Sequence, residues 1–336
     1  MITTGDATSN TKGGTYLFGG IPDGLGMFDN GDGTVTVLVN HELGATVGAV
    51  RDHGAKGAYI SKLIIDKTDL SVISGQDAFS TVKIWNPTLG AYESATVAFG
   101  RFCSADLAPQ NAFYNAATGL GTTDKIFLTG EESGVEGRVL GVIASGAENG
   151  TAHDLAALGK FSHENAVANG TFTQDKTIVM GTDDGQNGQV YVYIGTKQAT
   201  GSTVDKAGLT NGRVYGIKVD NLDNLTNNNN ESNTAIPGGT FSLVDLGDVR
   251  GTTGAQLDAA SEAAGVTSFL RPEDIAWDPT NPARGYFVTT NAFGSPSRLY
   301  QFTFNDITDP TKGGTIVAVL DGTEGQQMLD NITVDS

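Results

Sequence analysis

Four stretches of this chain share one pattern, and the recurrence constrains the fold more than any other feature. TVLVNHELG from Thr36, KIFLTGEESGVEGRVLGVIA from Lys125, TIVMGTDDGQNGQVYVYIG from Thr177 and GYFVTTNAFGSPSRLYQFTF from Gly285 each hold an apolar strand, a polar cluster at its C-terminal end, a Gly-rich loop and a second strand. The last three begin at 125, 177 and 285, so the gaps are 52 and 108, the second close to twice the first. A period near fifty signals a propeller, in which each repeat is a small sheet that buries its faces only against its neighbours. Six such repeats fit into 336 residues.

The apolar runs are short, β-branched and aromatic, with Gly, Asn, Asp and Ser clusters between them, as strands and turns require. Candidate strands are Thr34 to Val39, Tyr59 to Ile65, Lys125 to Thr129, Arg138 to Ile143, Thr177 to Met180, Gln189 to Ile194, Arg213 to Val219, Phe241 to Leu246, Gly285 to Thr289, Leu299 to Phe304 and Thr315 to Leu320. Only Ala255 to Ala264 has the composition of a short helix. The expected fold is therefore all-β, a six-bladed β-propeller forming a single domain over 1–336. The chain stops at Ser336, seven positions into a strand expected to begin at Asp330, so the last blade is expected to be incomplete and the chain truncated at one or both ends.

Charge narrows the partners. With 38 Asp and Glu against 20 Lys and Arg, the net charge of −18 repels a phosphate backbone, so no nucleic acid and no anionic membrane is expected as the main partner. No window of 18 uncharged apolar residues is present, which excludes a membrane-inserted helix of the usual length. Met1 to Gly14 has neither a basic nor an apolar segment of a secretory signal. One Cys excludes an internal disulfide and a Cys-cluster zinc site.

Within a blade the innermost strand precedes the repeat described above. Upstream of the repeats lie PDGLGMFD from Pro22, CSADLAP from Cys103, HENAVAN from His163 and PEDIAWDP from Pro272, with a fifth copy, DNITVD, from Asp330. Their first polar residues are Asp23, Cys103, Glu164, Glu273 and Asp330, each able to bind a metal. Antiparallel pairing sets the start of this strand beside the end of the next. Those ends carry Asn40, His41 and Glu42, then Glu131 and Glu132, then Asp183 and Asp184, then Asn291. The expectation is a ring of carboxylates plus one thiol at one mouth of the channel. Like charges a few ångströms apart repel by several kcal/mol in a partly buried site, so bound cations or raised pKa values must offset them. Oxygen donors suit calcium or magnesium, and a thiolate shifts the preference toward iron or zinc.

Each feature has a plainer reading. A lone Cys is most often a small buried hydrophobe; the register of Cys103 with Glu164 and Glu273 favours a ligand. GEES at Gly130 and GTDDG at Gly181 taken singly are hairpin turns, and their recurrence carries the weight. Arg271, two residues before Glu273, is the residue type that grips phosphate bidentately. DNGDG from Asp29 and DGTE from Asp321 lack EF-hand spacing and are read as turns. The sequons at Asn149, Asn169, Asn224, Asn230 and Asn331 arise freely in an Asn- and Thr-rich chain and carry no function. Between Gly195 and Leu270 the pattern weakens, with an Asn-rich stretch from Asn221 to Asn233, so one blade is expected to be irregular or to lack its ligand. No P-loop, GxSxG or GxGxxG occurs between a strand and a helix, which removes nucleotide-binding and serine-hydrolase readings.

Taken in order, IPDGLG at Ile21, LVNHE at Leu38, the block from Cys103 ending in GEE, GKFSHEN at Gly159, GTDDGQNGQVYVY at Gly181, RPEDIAWDP at Arg271 and LDNITVD at Leu329 resemble the PhoX alkaline phosphatases. These are exported bacterial phosphatases with a six-bladed propeller and an iron and calcium site. The resemblance implies Fe3+ bound by Cys103, Glu164 and Glu273, and Ca2+ bound by Glu42, Glu132, Asp184 and Asp330. It implies Arg271 as the phosphate-binding arginine, with Arg271, Cys103, Glu164 and Glu273 forming the catalytic set. The implied reaction is metal-assisted hydrolysis of a small phosphomonoester without a protein nucleophile, by an extracellular or periplasmic monomer. The chain departs from the family pattern after the Cys, where SADLAPQNAFYNAATGLGTTDKIFL replaces a Trp-containing segment. Alternatives are a propeller hydrolase of another class, a calcium lactonase or phosphotriesterase, and a catalytically silent calcium-binding module.

Overall fold

A computed structural model describes residues 2–170, 174–220 and 238–335. The Asn-rich stretch 221–233, with the sequons at Asn224 and Asn230, lies outside the described residues. In chain order the strands are β1 (Ala7–Ser9), β2 (Thr15–Leu17), β3 (Pro22–Asp29), β4 (Thr34–His41), β5 (Tyr59–Asp66), β6 (Val72–Asp77), β7 (Thr81–Asn86), β8 (Ala91–Ser94) and β9 (Phe102–Leu107). A short helix α1 (Gln110–Phe113) leads to β10 (Tyr114–Asn115), β11 (Leu120–Gly121), β12 (Ile126–Glu131), β13 (Val139–Ile143), β14 (Thr151–Asp154), β15 (His163–Ala168), β16 (Lys176–Asp183) and β17 (Gly188–Thr196). Helix α2 (Thr203–Lys206) precedes β18 (Arg213–Val219) and β19 (Gly239–Gly247), and α3 (Gly254–Ala264) precedes β20 (Ser268–Phe269), β21 (Pro272–Trp277), β22 (Arg284–Thr289), β23 (Arg298–Phe304) and β24 (Gly314–Leu320). The expected all-β class holds. Among the described residues no helix is long and apolar enough to cross a membrane.

The chain gathers into two compact units. The first comprises Met1–Leu107, Asp124–Glu132 and Leu140–Asp154. It holds the antiparallel meander β3-β4-β5-β6 and a sheet ordered β8-β7-β14-β13-β12-β9. Within the latter, β9-β12-β13-β14 repeats the meander, and the β7–β8 hairpin extends it through a parallel contact of Thr81 with Thr151. Its core is aromatic, with Phe79, Phe99, Phe102 and Phe127 packed on Leu38, Ile60, Leu140 and Val142.

The second unit comprises Ala108–Thr123, Ser133–Val139 and Leu155–Ser336. Two further meanders, β15-β16-β17-β18 and β21-β22-β23-β24, are joined edge to edge through β19, which pairs with both β18 and β24. The period-two rule is clear on β23, where Arg298, Tyr300, Phe302 and Phe304 are buried and the residues between them are only partly covered. Ile178, Val190, Val192, Ile217 and Phe287 complete this core. Helix α3 starts at a capping box between Thr253 and Gln256 and ends at Gly265, whose φ of 74° is the left-handed conformation that glycine tolerates.

Two sequence expectations change here. Among the described residues there are four meanders, where six blades were expected. The described residues of the 108-residue gap do not form a whole extra repeat: β18 completes the third meander, β19 adds a single bridging strand, and α3 follows. The region between Gly195 and Leu270 lacks an acidic inner strand because it contains no inner strand among the described residues. The segment from Asp330 is not a strand, although the Ile332 N–H donates to Asp274 Oδ2 at 3.1 Å and the Thr290 hydroxyl donates to the Leu329 carbonyl.

Candidate metal centre

Each meander builds the same corner. The start of its first strand opposes the end of its second: Pro22 opposite His41, Phe102 opposite Glu131, His163 opposite Asp183 and Pro272 opposite Thr289. At every one of these corners the register shifts, the first strand carrying one extra residue. Asp23, Cys103, Glu164 and Glu273 sit in these β-bulges. A bulge breaks the alternation of side chains and re-aims one of them, which is why bulges recur beside functional sites.

A repeated hydrogen bond closes the corner. The N–H groups of Glu42, Glu132 and Asp184 donate at 2.9 Å to the carbonyls of Ile21, Arg101 and Ser162, and that of Thr290 donates at 3.0 Å to Arg271. Glu42, Glu132 and Asp184 are thus equivalent, as expected, but their fourth counterpart is Thr290 rather than Asn291. The fourth second strand, β22, ends at Thr289, and Asn291 already has a left-handed φ of 65°.

In the first unit, donor atoms of Asp23, Glu42 and Cys103 all lie within 4.8 Å of one another, and a carboxylate oxygen of Glu132 is equally close to the thiol. Cys103 Sγ is 3.4 Å from Asp23 Oδ2. The Asn40 side-chain amide donates to the Cys103 carbonyl at 2.6 Å and to Thr129 Oγ1 at 2.9 Å, which fixes the backbone of the bulge. Arg101 reaches two carboxylates: its Nε donates to Glu42 Oε1 at 2.8 Å, and its Nη2 lies 2.7 Å from Glu42 and 2.6 Å from Glu132. Two members of the expected polar cluster turn away from this set. His41 is buried with its ring stacked on Tyr59, 2.7 Å from Ser61 Oγ and 3.1 Å from the Gly20 carbonyl, and burial pushes its pKa down to about 4. Glu131 accepts the Gly100 N–H at 3.0 Å.

In the second unit, donor atoms of Glu164, Glu273 and Asp330 lie within 4.8 Å of one another. Glu164 and Glu273 are buried, and Asp330 is exposed. Arg271 makes a bidentate pair with Asp184, Nε to Oδ1 at 2.8 Å and Nη2 to Oδ2 at 3.0 Å, and its Nη2 is 2.9 Å from Glu273 Oε1. Burial, and then the Asp184 charge, push Glu273 up to about 8 against the opposing effect of Arg271. Burial likewise raises Asp183 to about 7 and Asp274 to about 6. Asp274 is held by Asn165 Nδ2 at 2.5 Å and by the Ile275 N–H at 2.7 Å.

Both donor sets fit a metal ion. Buried carboxylates that raise one another's proton affinity are the groups a cation relieves. The Glu164, Glu273 and Asp330 set is all oxygen, as hard cations prefer, whereas Cys103 adds a soft donor to Asp23 and Glu42. Arg101 was not singled out from the sequence as a site residue, and Asn40 was named only among the polar strand ends. The signal for Arg101 was present, because it stands two residues before Cys103 as Arg271 stands two before Glu273.

No curated protein matches the chain in sequence. Its fold is similar to that of a solved structure, Pseudomonas fluorescens PhoX in complex with vanadate, a transition state analogue, with a TM-score of 0.64 at 14% identity, covering 89% of this chain and 66% of that one. The chain thus spans just under two thirds of that protein's length. Residues 84–328 match the family described as alkaline phosphatase PhoX, and the chain belongs to that family.

Proposed function

We propose that the chain hydrolyses small phosphate monoesters with iron and calcium held at its repeated corners. The observation that carries this reading is the Glu164, Glu273 and Asp330 set with Arg271 paired to one of its members. In this reading Cys103, Glu164 and Glu273 hold Fe3+, and Glu42, Glu132, Asp184 and Asp330 hold Ca2+. Bound metal ions supply Lewis-acid stabilisation of phosphoryl oxygens and lower the pKa of water.

The chain's own groups do the rest. The Arg271 guanidinium, oriented by Asp184, offers N–H donors to the phosphoryl oxygens and stabilises the charge that builds on them. Burial and the neighbouring Asp184 charge raise the proton affinity of the Glu273 carboxyl, so it would release a proton on holding a cation. No serine, threonine or cysteine nucleophile is needed. The reading carries with it a propeller as one domain over 1–336, to which the four meanders of the described residues contribute, and an extracellular or periplasmic monomer.

The test is elemental analysis and p-nitrophenyl phosphate turnover on one sample. Iron with calcium, and loss of iron and turnover in Cys103→Ala, are expected. Full turnover by metal-free protein refutes the reading. Turnover of lactones or phosphotriesters instead selects another propeller hydrolase, and calcium without iron or turnover selects a silent module.

A further inference from the structure

Arg101 occupies in the first unit the position that Arg271 occupies in the second, and the two share their backbone environment and one ion pair, although Arg271 Nη1 also donates to the Asn291 carbonyl at 3.3 Å. Each lies two residues before its bulge residue, Cys103 or Glu273, and each has a left-handed backbone, φ 46° and 52°. Each N–H donates to the residue two past the end of the preceding meander's second strand, Arg101 to the Leu43 carbonyl at 2.9 Å and Arg271 to Gly185 at 2.8 Å. Each carbonyl accepts the corner hydrogen bond, from Glu132 or from Thr290. Each guanidinium pairs with the acid of the preceding corner, Glu42 or Asp184.

Ile21, at the same position before Asp23, is left-handed too at φ 50°, so this backbone belongs to the corner itself, and what Arg101 and Arg271 share beyond it is a guanidinium paired with the neighbouring acid. We propose that Arg101 is a second phosphate-binding residue, which rests on the phosphatase reading above. Its Nε and Nη2 face Glu42 and Glu132, while Nη1 is bonded to none of the described residues. The side chain is 50% exposed against 28% for Arg271, so it is the more accessible of the two to an anion. A guanidinium steadied on one edge by carboxylates and open on the other presents fixed donors to a phosphoryl oxygen. The alternative is a purely internal role, in which Arg101 only neutralises Glu42 and Glu132.

The test measures competitive inhibition by inorganic phosphate, together with calcium and iron content, for the metal-loaded parent, Arg101→Ala and Arg101→Lys. Loss of one charged donor pair is expected to raise the inhibition constant roughly 10- to 100-fold in Arg101→Ala at unchanged metal content. Arg101→Lys is expected to recover part of the loss, and it carries the test if the alanine variant does not fold. An unchanged inhibition constant, or one that rises only in step with lost calcium, overturns the proposal. A parent that neither binds phosphate nor turns over the ester brings down the phosphatase reading itself, a separate and prior failure.

Discussion

Gly24→Ala tests whether the first unit's donor set depends on close approach of two inner strands. Gly24 follows Asp23 in the β3 bulge. A Cβ there would lie 2.5 Å from the Ala105 N and 2.7 Å from both the Ala105 Cβ and the Ser104 carbonyl carbon. Two of these are backbone atoms of β9, so no side-chain rotation relieves the overlap. Ordinary contact begins near 3.5 Å, so β3 and β9 must part by about 1 Å. Such overpacking costs about 1–3 kcal/mol, which for a chain of 336 residues corresponds to a fall in Tm of about 1.5–4 °C.

The same movement lengthens the 3.4 Å contact between Asp23 and Cys103, whose backbones flank the clash. Metal affinity should fall together with stability. Differential scanning calorimetry and metal titration check both, with Gly44→Ala as control, since a Cβ at Gly44 meets only Val47 Cγ2 at 3.7 Å. A Gly24→Ala protein with the parent's Tm and the parent's metal affinity would refute the reasoning, because the close approach would then not be what sets the donor spacing.

Three other outcomes follow from the second unit and from the donor sets. The buried Lys197 ammonium donates to the Gln174 and Lys176 carbonyls at 2.7 Å each, and burial pulls its pKa from 10.5 down to about 8. Between those two values the folded chain binds fewer protons than the unfolded one at this position, so its contribution makes stability rise with pH, by at most about 3 kcal/mol. Lys197→Met should remove that rise in urea titrations at pH 8 and above, and an identical pH profile would show the group to be unperturbed. Asn165→Ala deletes the 2.5 Å amide contact to the buried Asp274 and should cost about 1–3 kcal/mol in urea unfolding, whereas a neutral variant would mean the contact contributes nothing. Chelation should lower the Tm of the metal-loaded protein, and calcium at a hundred times its dissociation constant should restore about 2.7 kcal/mol; melting indifferent to calcium would remove it from the folded state.

Strand positions were legible because they are local. All eleven candidate strands are present, several a residue or two longer, and the four inner strands begin within one residue of where the repeat placed them. The bulges were not legible. A bulge is a property of pairing between two strands, and the apolar pattern of Pro22–Asp29 by itself does not say that Asp23 and Gly24 together face a single step of β4. For the same reason the direction taken by His41 could not be read from LVNHE: three successive polar residues leave open which of them the core takes, and stacking on Tyr59 decides it. The long gap before Gly285 misled because spacing counts residues and not strands, and among its described residues β19 and α3 add length without forming a repeat.

What recurs is therefore a backbone corner, and the donor placed in it varies. The four bulges carry Asp23, Cys103, Glu164 and Glu273, while the hydrogen bond that closes each corner spans only 2.9–3.0 Å across all four. A corner made by main-chain bonds holds whatever side chain occupies it, so donor chemistry can change without rebuilding the sheet. Among the four bulge donors the single sulfur is Cys103, so the soft character of the donors rests on one residue. Replacing the Cys103 thiol with a carboxylate would make all four bulge donors oxygen, and metal preference should move from soft toward hard cations with the fold unchanged. The apparent singularity of Cys103 in the sequence is thus a local choice of ligand on a scaffold used four times.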